Sequence, residues 1–413
     1  MTGAVPTPGR RLGGDRPPPV GVGSPRGGLV RRTAVIGSAV AGLAAAWLAT
    51  TQVAARPYFR EEPDGLAALW TTRLPAPPAA RPAHDGGRVY LLLRNSSLAA
   101  VDTTSGALLW SVEVTALPAV AAGEGLVFLA ASAAIEARSG GDGSLQWRVS
   151  IDGDVTGSLL WDQGWLLAVT RRGTVIAIRA RDGQTIWSKP AGAAASVAPA
   201  LAGDRAYLAL ADGRVQARQL LTGDLLWERT LGGVPSELLP LDDRIFVGAA
   251  DRFFYCLAVK DGAIKWRWRA GGAIVGAPVV DAESVYFVSL DNVLRALNRK
   301  NGHQRWRQLL ATRPSGGPLR FERDMLAVAG IEAEVRAYRA EDGSLAASVA
   351  TPAELASPLC VVAADQRHLA ALIAVTLEGQ LLAVSLAPIG HAIEGLPLFL
   401  PLPSGPGPPT PPA

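Results

Sequence analysis

Residues 100–110 read AVDTTSGALLW, and the pattern in this stretch returns along the chain at a spacing close to forty residues. A small residue is followed six positions later by a glycine and, four positions after that, by a tryptophan. The small residues lie 37 to 46 residues apart and are Ala100, Ala137, Ala177, Ala217, Cys256, Ala296, Ala337 and Ala383. The glycines are Gly106, Gly143, Gly183, Gly223, Gly262, Gly302 and Gly343, and the tryptophans are Trp110, Trp147, Trp187, Trp227, Trp266 and Trp306, with Ala347 in the seventh position. A period of this length predicts a repeat architecture.

One period contains four short apolar segments separated by turn residues. In the fourth repeat these segments are Ser196–Leu201, Ala206–Leu210, Val215–Leu220 and Leu225–Arg229. Dipeptides such as Asp212-Gly213 lie between them, and because such residues tolerate positive φ they predict hairpins. Four antiparallel strands in about forty residues correspond to one blade of a β-propeller. The sequence shows no sustained apolar stripe of helical period, so a solenoid of helix pairs is not favoured.

The tryptophans have an interpretation in terms of packing. A blade has two apolar faces and buries them by stacking on its neighbours, and a large flat side chain on the outer strand fills the space that widens with radius. One tryptophan per blade is too scattered to form an aromatic ligand cage. We therefore expect a structural, blade-docking role for the tryptophans, including Trp70, and for the turn glycines: Trp70, Trp110, Trp147, Trp187, Trp227, Trp266, Trp306, Gly106, Gly143, Gly183, Gly223, Gly262, Gly302 and Gly343.

The run from Ala100 to Trp110 resembles the AxDxxTGxxxW docking motif of the PQQ-type propeller family, which includes quinoprotein alcohol dehydrogenases and BamB, the lipoprotein of outer-membrane β-barrel assembly. The resemblance extends from Leu66 to about Leu386. It implies the propeller fold strongly and a function weakly, because the motif only joins blades. The aspartate of the motif is kept as Asp102, is Asn298 in the sixth repeat, and is replaced elsewhere.

The number of blades follows from the positions of the repeats. Leu66–Leu74 (LAALWTTRL) precedes the first complete repeat, and its Trp70 lies 40 residues before Trp110. We therefore predict an all-β, eight-bladed propeller of four-stranded antiparallel blades over residues 66–386, with the ring closed by this N-terminal strand. The alternative is closure by the C-terminal segment around Gly390 and Ile393.

The ends of the chain differ from the repeats in composition. Residues 1–32 are rich in Pro, Gly and Arg and are expected to be disordered. The uncharged run 33–55 follows Arg31-Arg32 and is predicted to be a transmembrane or signal helix, either a retained anchor or a peptide cleaved after Val53-Ala54-Ala55. General secretion and twin-arginine export both remain open. In either case we expect an extracytoplasmic propeller, periplasmic or at the cell surface, followed by a Pro-rich tail over residues 387–413.

Composition fits one large β domain, because 49% of the 413 residues are hydrophobic and 18% are charged. The net charge of +4 does not indicate nucleic-acid binding by itself, and we predict no nucleic-acid partner. Lysine occurs only at Lys189, Lys260, Lys265 and Lys300. The sharpest basic and aromatic cluster, Trp266-Arg267-Trp268-Arg269, alternates with a period of two. We interpret its arginines as protection of an exposed outer strand, with nucleic-acid or lipid binding as the alternative.

Motifs for catalysis are absent from the sequence, with no GxSxG, Walker loop, HExxH or CxxC. The histidines stand alone in different repeats or in the tail, and they are His84, His303, His368 and His391. Cys256 and Cys360 lie three blades apart, too far for a disulfide. Asp152-Gly153-Asp154 lacks the further carboxylates of a calcium loop, so a solvated turn is favoured. We therefore predict no catalytic residues, no cofactor and no metal.

Several functional classes remain. We favour a non-enzymatic, monomeric scaffold, similar to BamB, that binds envelope proteins through one ring face and contacts the membrane through its N-terminal helix if that helix is retained. Outer-membrane protein assembly is the specific form of this hypothesis. The alternatives are a PQQ-dependent dehydrogenase, which the resemblance permits, and a propeller that binds sugars or cell-wall polymers, using Trp161 and Trp165 in LLWDQGWLL.

Overall fold

The protein was analysed as a computed structural model, and the structure describes residues 65–321, 324–363, 370–386 and Pro411. These residues form strands and turns, with no helix among them. The strands of the first half are β1 (Leu66–Arg73), β2 (Ala83–His84), β3 (Arg88–Leu93), β4 (Ser97–Asp102), β5 (Leu108–Glu113), β6 (Val120–Gly123), β7 (Leu126–Ala131), β8 (Ala134–Ser139), β9 (Leu145–Ser150), β10 (Val155–Asp162), β11 (Trp165–Thr170), β12 (Thr174–Arg179), β13 (Thr185–Pro190), β14 (Ala200–Ala202), β15 (Arg205–Ala209), β16 (Arg214–Gln219) and β17 (Leu225–Thr230).

The remaining strands continue the same pattern. They are β18 (Pro235–Leu241), β19 (Arg244–Ala249), β20 (Phe253–Ala258), β21 (Ile264–Arg269), β22 (Ile274–Val280), β23 (Ser284–Ser289), β24 (Val293–Asn298), β25 (Gln304–Leu309), β26 (Leu319–Phe321), β27 (Met325–Ala329), β28 (Glu334–Arg339), β29 (Leu345–Ala350), β30 (Cys360–Val362), β31 (Ala371–Val375) and β32 (Gln380–Leu386).

The strands form eight sheets of four strands each. Blades 1 to 7 are consecutive groups of four, from β2–β5 for blade 1 to β26–β29 for blade 7, and blade 8 contains β30, β31, β32 and β1. All hydrogen-bonded neighbours are antiparallel, as the hairpin turns require. The predicted all-β, eight-bladed propeller with four-stranded antiparallel blades is therefore confirmed.

The N-terminal strand closes the ring. β1 pairs with β32 from Leu66 opposite Leu386 to Arg73 opposite Gln380, with a bulge between Ala68 and Trp70. Trp70 lies opposite Ala383, the last small residue of the repeat. The prediction that Leu66–Leu74 completes the eighth blade is confirmed, and the alternative segment around Gly390 lies outside the described residues.

The core is divided among the contacts between blades. Eight hydrophobic clusters are present in the described part of the chain, and each one joins side chains of two successive blades. Val89 and Leu91 of blade 1, for example, pack with Val375 and Leu381 of blade 8. Each blade buries both of its apolar faces in this way, and the junction at the chain ends is packed like the others.

The first strand of a blade is shorter than the sequence predicted. Ser196–Leu201 was expected to be the first strand of the fourth repeat, but β14 contains only Ala200–Ala202. Ser196 still donates its backbone N–H to the Ala209 carbonyl at 3.0 Å. Pro199 has no N–H, which interrupts the ladder between this bond and β14. The innermost strands are also irregular elsewhere, with register shifts in β10, β18 and β22.

The turns define two faces of the ring. One face carries the links between blades and the turns between second and third strands, and we call it the connector face. These links and turns are hydrogen-bonded to each other, as in the bond from the Val114 N–H to the Ser96 carbonyl at 2.9 Å. We call the docking-turn face the opposite one, with the turns between first and second and between third and fourth strands. Gly140 N–H to Gly125 O, at 2.7 Å, is such a contact.

Some predictions concern residues that the structure does not describe. The segment 1–32, the apolar run 33–55 and residues 387–410 of the predicted tail lie outside the described residues. Among the residues that are described, no helix is long and apolar enough to cross a membrane. The signal or anchor helix therefore stays a prediction.

Candidate functional site

Each tryptophan of the repeat lies on the fourth strand of its blade and contacts the next blade. Its cross-strand partner is the small residue of its own blade, as in Trp147 opposite Ala137. The indole Nε1 donates a hydrogen bond to a backbone carbonyl of the next blade: Trp70 to Thr103 at 3.0 Å, Trp110 to Gly140 at 3.0 Å, Trp147 to Ala180 at 3.0 Å, Trp187 to Leu220 at 2.7 Å, Trp227 to Val259 at 2.8 Å, Trp266 to Arg299 at 3.3 Å and Trp306 to Ala340 at 3.0 Å.

The turn glycines receive these indoles. Gly106 has φ +71°, and a Cβ at this position would lie 2.5 Å from Cε3 of Trp70. Both the left-handed backbone and the ring therefore require glycine here. The other six repeat glycines face the tryptophan of the preceding blade in the same way, and they are Gly143, Gly183, Gly223, Gly262, Gly302 and Gly343. The sequence predicted a blade-docking role for these glycines, and the geometry places each one beside the tryptophan of the preceding blade. That these contacts hold the ring together stays a prediction.

Ala347 occupies the tryptophan position of blade 7, opposite Ala337. The missing indole has a topological reason. The fourth strand of blade 8 is β1, so no turn of the chain joins β32 to its outer neighbour. An indole at position 347 would therefore lack the glycine turn that receives the other seven. Ala347 is instead buried in the apolar cluster between blades 7 and 8.

The residues singled out for possible chemistry are not brought together. His84 lies on β2 with Nδ1 buried and without a hydrogen-bond partner, and burial lowers its pKa despite the nearby Asp85 carboxylate. His303 lies in an exposed turn of blade 6, and His368 and His391 lie outside the described residues. Within residues 65–321, 324–363 and 370–386, no group of three His, Cys, Asp or Glu side chains is placed to hold a metal ion.

The two cysteines are both free, as predicted. Burial raises the pKa of the Cys256 thiol to about 11 and that of Cys360 to about 12, so both are protonated at neutral pH. Neither has the lowered pKa of a nucleophilic thiol. Asp152 and Asp154 belong to an exposed connection, in which Asp152 pairs with Arg172 and Asp154 accepts the Ala133 N–H at 3.1 Å.

The tryptophan pair of LLWDQGWLL is used in packing. Trp165 is fully buried in the cluster between blades 3 and 4. Trp161 packs against the cluster between blades 2 and 3, and its ring leaves no room for a side chain at Gly123, where a Cβ would lie 2.2 Å away. Neither ring forms an open platform for a sugar, so the residues suggested for that alternative do not support it.

An exposed apolar and acidic surface lies on the connector face of blades 7 and 8. Ile331 is 55% exposed in a turn of blade 7, and Leu377 is 43% exposed in the matching turn of blade 8. The Leu377 N–H donates to the Glu354 carbonyl and the Thr351 N–H to the Ala333 carbonyl, both at 2.8 Å, so the link between the blades joins the two turns. Glu332, Glu354 and Glu378 are also exposed there. We call these five residues the connector patch.

The carboxylates of the connector patch are free of ion pairs with the described residues. None of the three forms an ion pair with any part of the chain that the structure describes. The nearest such pair, between Arg336 and Glu334, lies in the same blade. Arg313, whose carbonyl accepts the Ile331 N–H at 3.1 Å, adds one exposed cation beside these carboxylates. Exposed apolar side chains with polar and charged residues around them are typical of an interaction surface. No sequence pattern marks this patch, because its members come from two turns and one link that are distant in sequence.

The contacts between blades define a closed β-propeller. In its described part, the candidate catalytic and metal-binding side chains are not brought together. A family model described as outer membrane protein assembly factor BamB matches residues 20–122, 94–239, 232–316 and 299–387. The chain therefore belongs to this family of PQQ-like β-propellers. The resemblance that the docking motif suggested is confirmed.

Individual proteins agree at lower similarity. Outer membrane protein assembly factor BamB of Yersinia pestis is 25% identical over 320 residues, which cover 69% of this chain and 80% of that protein. Serine/threonine-protein kinase AfsK of Streptomyces coelicolor is 28% identical over 202 residues, which cover 45% of this chain and 25% of the kinase. The crystal structure of BamB from Moraxella catarrhalis covers 77% of this chain and 99% of its own length with a TM-score of 0.64 and 17% identity.

Proposed function

We propose that the chain is a non-catalytic, extracytoplasmic propeller that binds envelope proteins through its connector face, in a BamB-like role in outer-membrane protein assembly. The family supports the general role, since BamB is named as an assembly factor in the relatives. The connector patch is the observation that carries the choice of face. The proposed location outside the cytoplasm depends on the predicted signal or anchor segment 33–55.

The chemistry of the connector patch indicates what its partner offers. Ile331 and Leu377 are exposed to water in the isolated chain. A partner that covers them would bury their apolar surface, which favours binding through the hydrophobic effect. The carboxylates of Glu332, Glu354 and Glu378 surround them and favour basic groups at the rim of the contact. We therefore expect the partner to present apolar side chains flanked by Lys or Arg.

A variant of the connector patch tests this function. Ile331→Asp with Leu377→Asp alters exposed turn positions, so stability is expected to change by less than about 0.5 kcal/mol. The control is Leu145→Asp with Leu225→Asp, which changes equally exposed leucines on outer strands of other blades. Affinity purification from envelope extracts is expected to recover an outer-membrane assembly partner with the control and to lose it with the patch variant. Equal recovery would refute the chosen face, and recovery of no envelope protein by the unmodified chain would refute the scaffold function.

A quinone-dependent dehydrogenase remains the second candidate through the family resemblance alone. We propose that the chain has no such activity, because its compact repeats leave no insertions that build a substrate site. The full-length protein, incubated with PQQ and calcium, is expected to show neither tight quinone binding nor dye-linked alcohol oxidation. Stoichiometric quinone binding with alcohol oxidation would replace the scaffold by the enzyme.

A further inference from the structure

Basic side chains are concentrated on the outer edge of two neighbouring blades. Three of the four lysines of the chain lie there, together with three arginines of the outer strands β21 and β25. We call this set the basic rim, and its members are Lys260, Lys265, Arg267, Arg269, Lys300 and Arg307. All six are exposed. Lys260 and Lys300 occupy the same position in the docking turns of blades 5 and 6.

The charges of the basic rim are not neutralised by the protein itself. None of the six forms an ion pair among the residues that the structure describes. The other cations nearby are used internally, since Arg305 pairs with Glu283 and Arg299 with Asp242. Asp261 is an exposed carboxylate between the lysines, so the surface keeps a large positive excess.

Protection of exposed sheet edges does not account for this concentration. Every blade of a propeller has an outer strand, and protection against edge pairing is equally needed on each. The outer strands of blades 1 and 7, β5 (LLWSVE) and β29 (LAASVA), carry no lysine or arginine. The basic outer-strand residues of blades 2 and 3, Arg148 and Lys189, are paired with carboxylates. The interpretation of Arg267 and Arg269 as edge protection therefore explains only part of what is observed.

Apolar side chains lie among the charges of the basic rim. Ile264 is 42% exposed and Leu309 is 71% exposed, at opposite ends of the two outer strands. Trp268 is partly exposed and packs on Phe287 and Arg295 of blade 6. Because side chains alternate along β21, Arg267 lies on the opposite face of the strand, over the ring of Phe253 at 4.9 Å. Long basic side chains next to exposed aliphatic and indole groups match a lipid headgroup layer, where the cations contact phosphates and the apolar groups enter below them. The sugar–phosphate backbone of a nucleic acid offers no such apolar layer.

We propose that the basic rim of blades 5 and 6 binds an anionic phospholipid surface, so that this edge of the propeller lies against the membrane. The contact is separate from the connector patch, which belongs to blades 7 and 8. It adds a second, electrostatic attachment to the one that the predicted N-terminal segment provides. Its failure would leave the proposed scaffold function untouched.

Hydrogen exchange of the full-length chain in lipid nanodiscs tests this proposal, because it reports on the rim independently of any N-terminal anchor. Exchange is compared between discs of neutral phosphatidylcholine and discs that contain phosphatidylglycerol. We expect slower exchange in β21 and β25 with the anionic lipid alone, and no change in β5 and β29. About 1 M salt shortens the Debye length to about 3 Å and is expected to abolish the difference.

Two charge variants with the same change in net charge complete the experiment. Lys260→Glu, Lys265→Glu, Lys300→Glu and Arg307→Glu together are expected to weaken the electrostatic association by about 10²-fold or more and remove the protection. The control changes exposed arginines outside blades 5 and 6 that form no ion pair with the described residues, in Arg73→Glu, Arg94→Glu, Arg171→Glu and Arg313→Glu, and is expected to keep it. Equal exchange in both lipids, equal protection in both charge variants, or protection of β21 and β25 by duplex DNA but not by anionic lipid would overturn the proposal.

Discussion

Arg81 and Glu237 form an ion pair that joins opposite sides of the ring. Arg81 lies on the link into blade 1, and Glu237 lies on β18, the innermost strand of blade 5. In a ring of eight blades these two are four positions apart, so the pair crosses the central axis. Glu237 lies where β18 shifts register between Pro235 and Leu238, a bulge that turns its side chain out of the regular alternation.

The Arg81–Glu237 pair is expected to couple the two sides only weakly. The side chains are 47% and 25% exposed, and ion pairs with this access to water contribute about 0.2–1 kcal/mol. A double-mutant cycle of Arg81→Ala and Glu237→Ala, measured by denaturant unfolding, should give a coupling energy in that range. The coupling should decrease as salt is raised. A value above about 3 kcal/mol would mean that the pair is a main element of ring closure.

The tryptophan contacts are expected to contribute far more. Trp147→Ala removes an indole that fills the contact between blades 2 and 3 and its bond to Ala180, so the free energy of unfolding should fall by about 3–5 kcal/mol. Ala347→Trp should not give the opposite gain, because blade 8 offers the new indole no docking turn. For the same reason amides of Met325–Ala350 should exchange faster than those of Arg205–Thr230. Slower exchange in Met325–Ala350, or a clear stabilisation by Ala347→Trp, would contradict this explanation.

Tyr207 identifies a position where the protein can be stabilised. The Tyr90 hydroxyl donates to Asp85 and the Tyr286 hydroxyl to Asp281, both at 2.6 Å and both to a carboxylate five residues earlier. The corresponding residue for Tyr207 is Ala202, and among the described residues the buried Tyr207 hydroxyl finds no acceptor, with the Arg205 side chain beside it as a further donor. Burial raises the pKa of Tyr207 to about 12, so it remains a donor at neutral pH.

Ala202→Asp should supply the missing acceptor for Tyr207 and raise the unfolding free energy by about 0.5–1.5 kcal/mol. Ala202→Asn, with a weaker uncharged acceptor, should give a smaller gain, and Ala202→Asp in a Tyr207→Phe background should give none. Thermal unfolding of the unmodified protein, these three variants and Tyr207→Phe alone measures these differences. An equal effect of Ala202→Asp with and without the Tyr207 hydroxyl would show that another interaction is responsible.

Ring closure by β1 predicts different outcomes for two truncations. Removal of residues 1–56 leaves β1 intact, so the remaining chain should melt cooperatively. Removal of residues 1–80 deletes β1 and Trp70, exposes the edge of β32 and empties the contact to Thr103 and Gly106. That protein should aggregate or lose its cooperative transition. If both truncations melted alike, β1 would not be needed for closure.

The sequence predicted the fold because the information is periodic. The spacing of Ala100, Gly106 and Trp110 occurs in six blades, the seventh keeps its small residue and glycine, and Trp70 at the same interval revealed the strand that completes the eighth. Ala347 appeared only as a missing tryptophan. The reason for this missing tryptophan depends on the topology. The outer neighbour of β32 is β1, from the other end of the chain, so blade 8 has no turn between its third and fourth strands.

The surfaces could not be predicted in the same way, because they depend on contacts between residues distant in sequence. Arg81 and Glu237 are separated by 156 positions, and the connector patch combines two turns with a link. Part of the basic rim is visible in the sequence. Trp266-Arg267-Trp268-Arg269 predicted an exposed basic strand. The further cations of this surface, Arg307 and Lys300, belong to the next blade, and the sequence does not show that they lie on the same edge.

Site-specific photo-crosslinking in living cells can show whether the connector face of blades 7 and 8 contacts an envelope partner. A photoreactive amino acid is placed at Leu377 or at Ile331, and in a control at Ser105, an exposed residue of the docking-turn face. We expect Leu377 and Ile331 to give a crosslink to the same outer-membrane assembly protein and Ser105 to give none. A crosslink from Ser105 alone, or none from Leu377 and Ile331 while the partner co-purifies with the unmodified chain, would contradict this expectation.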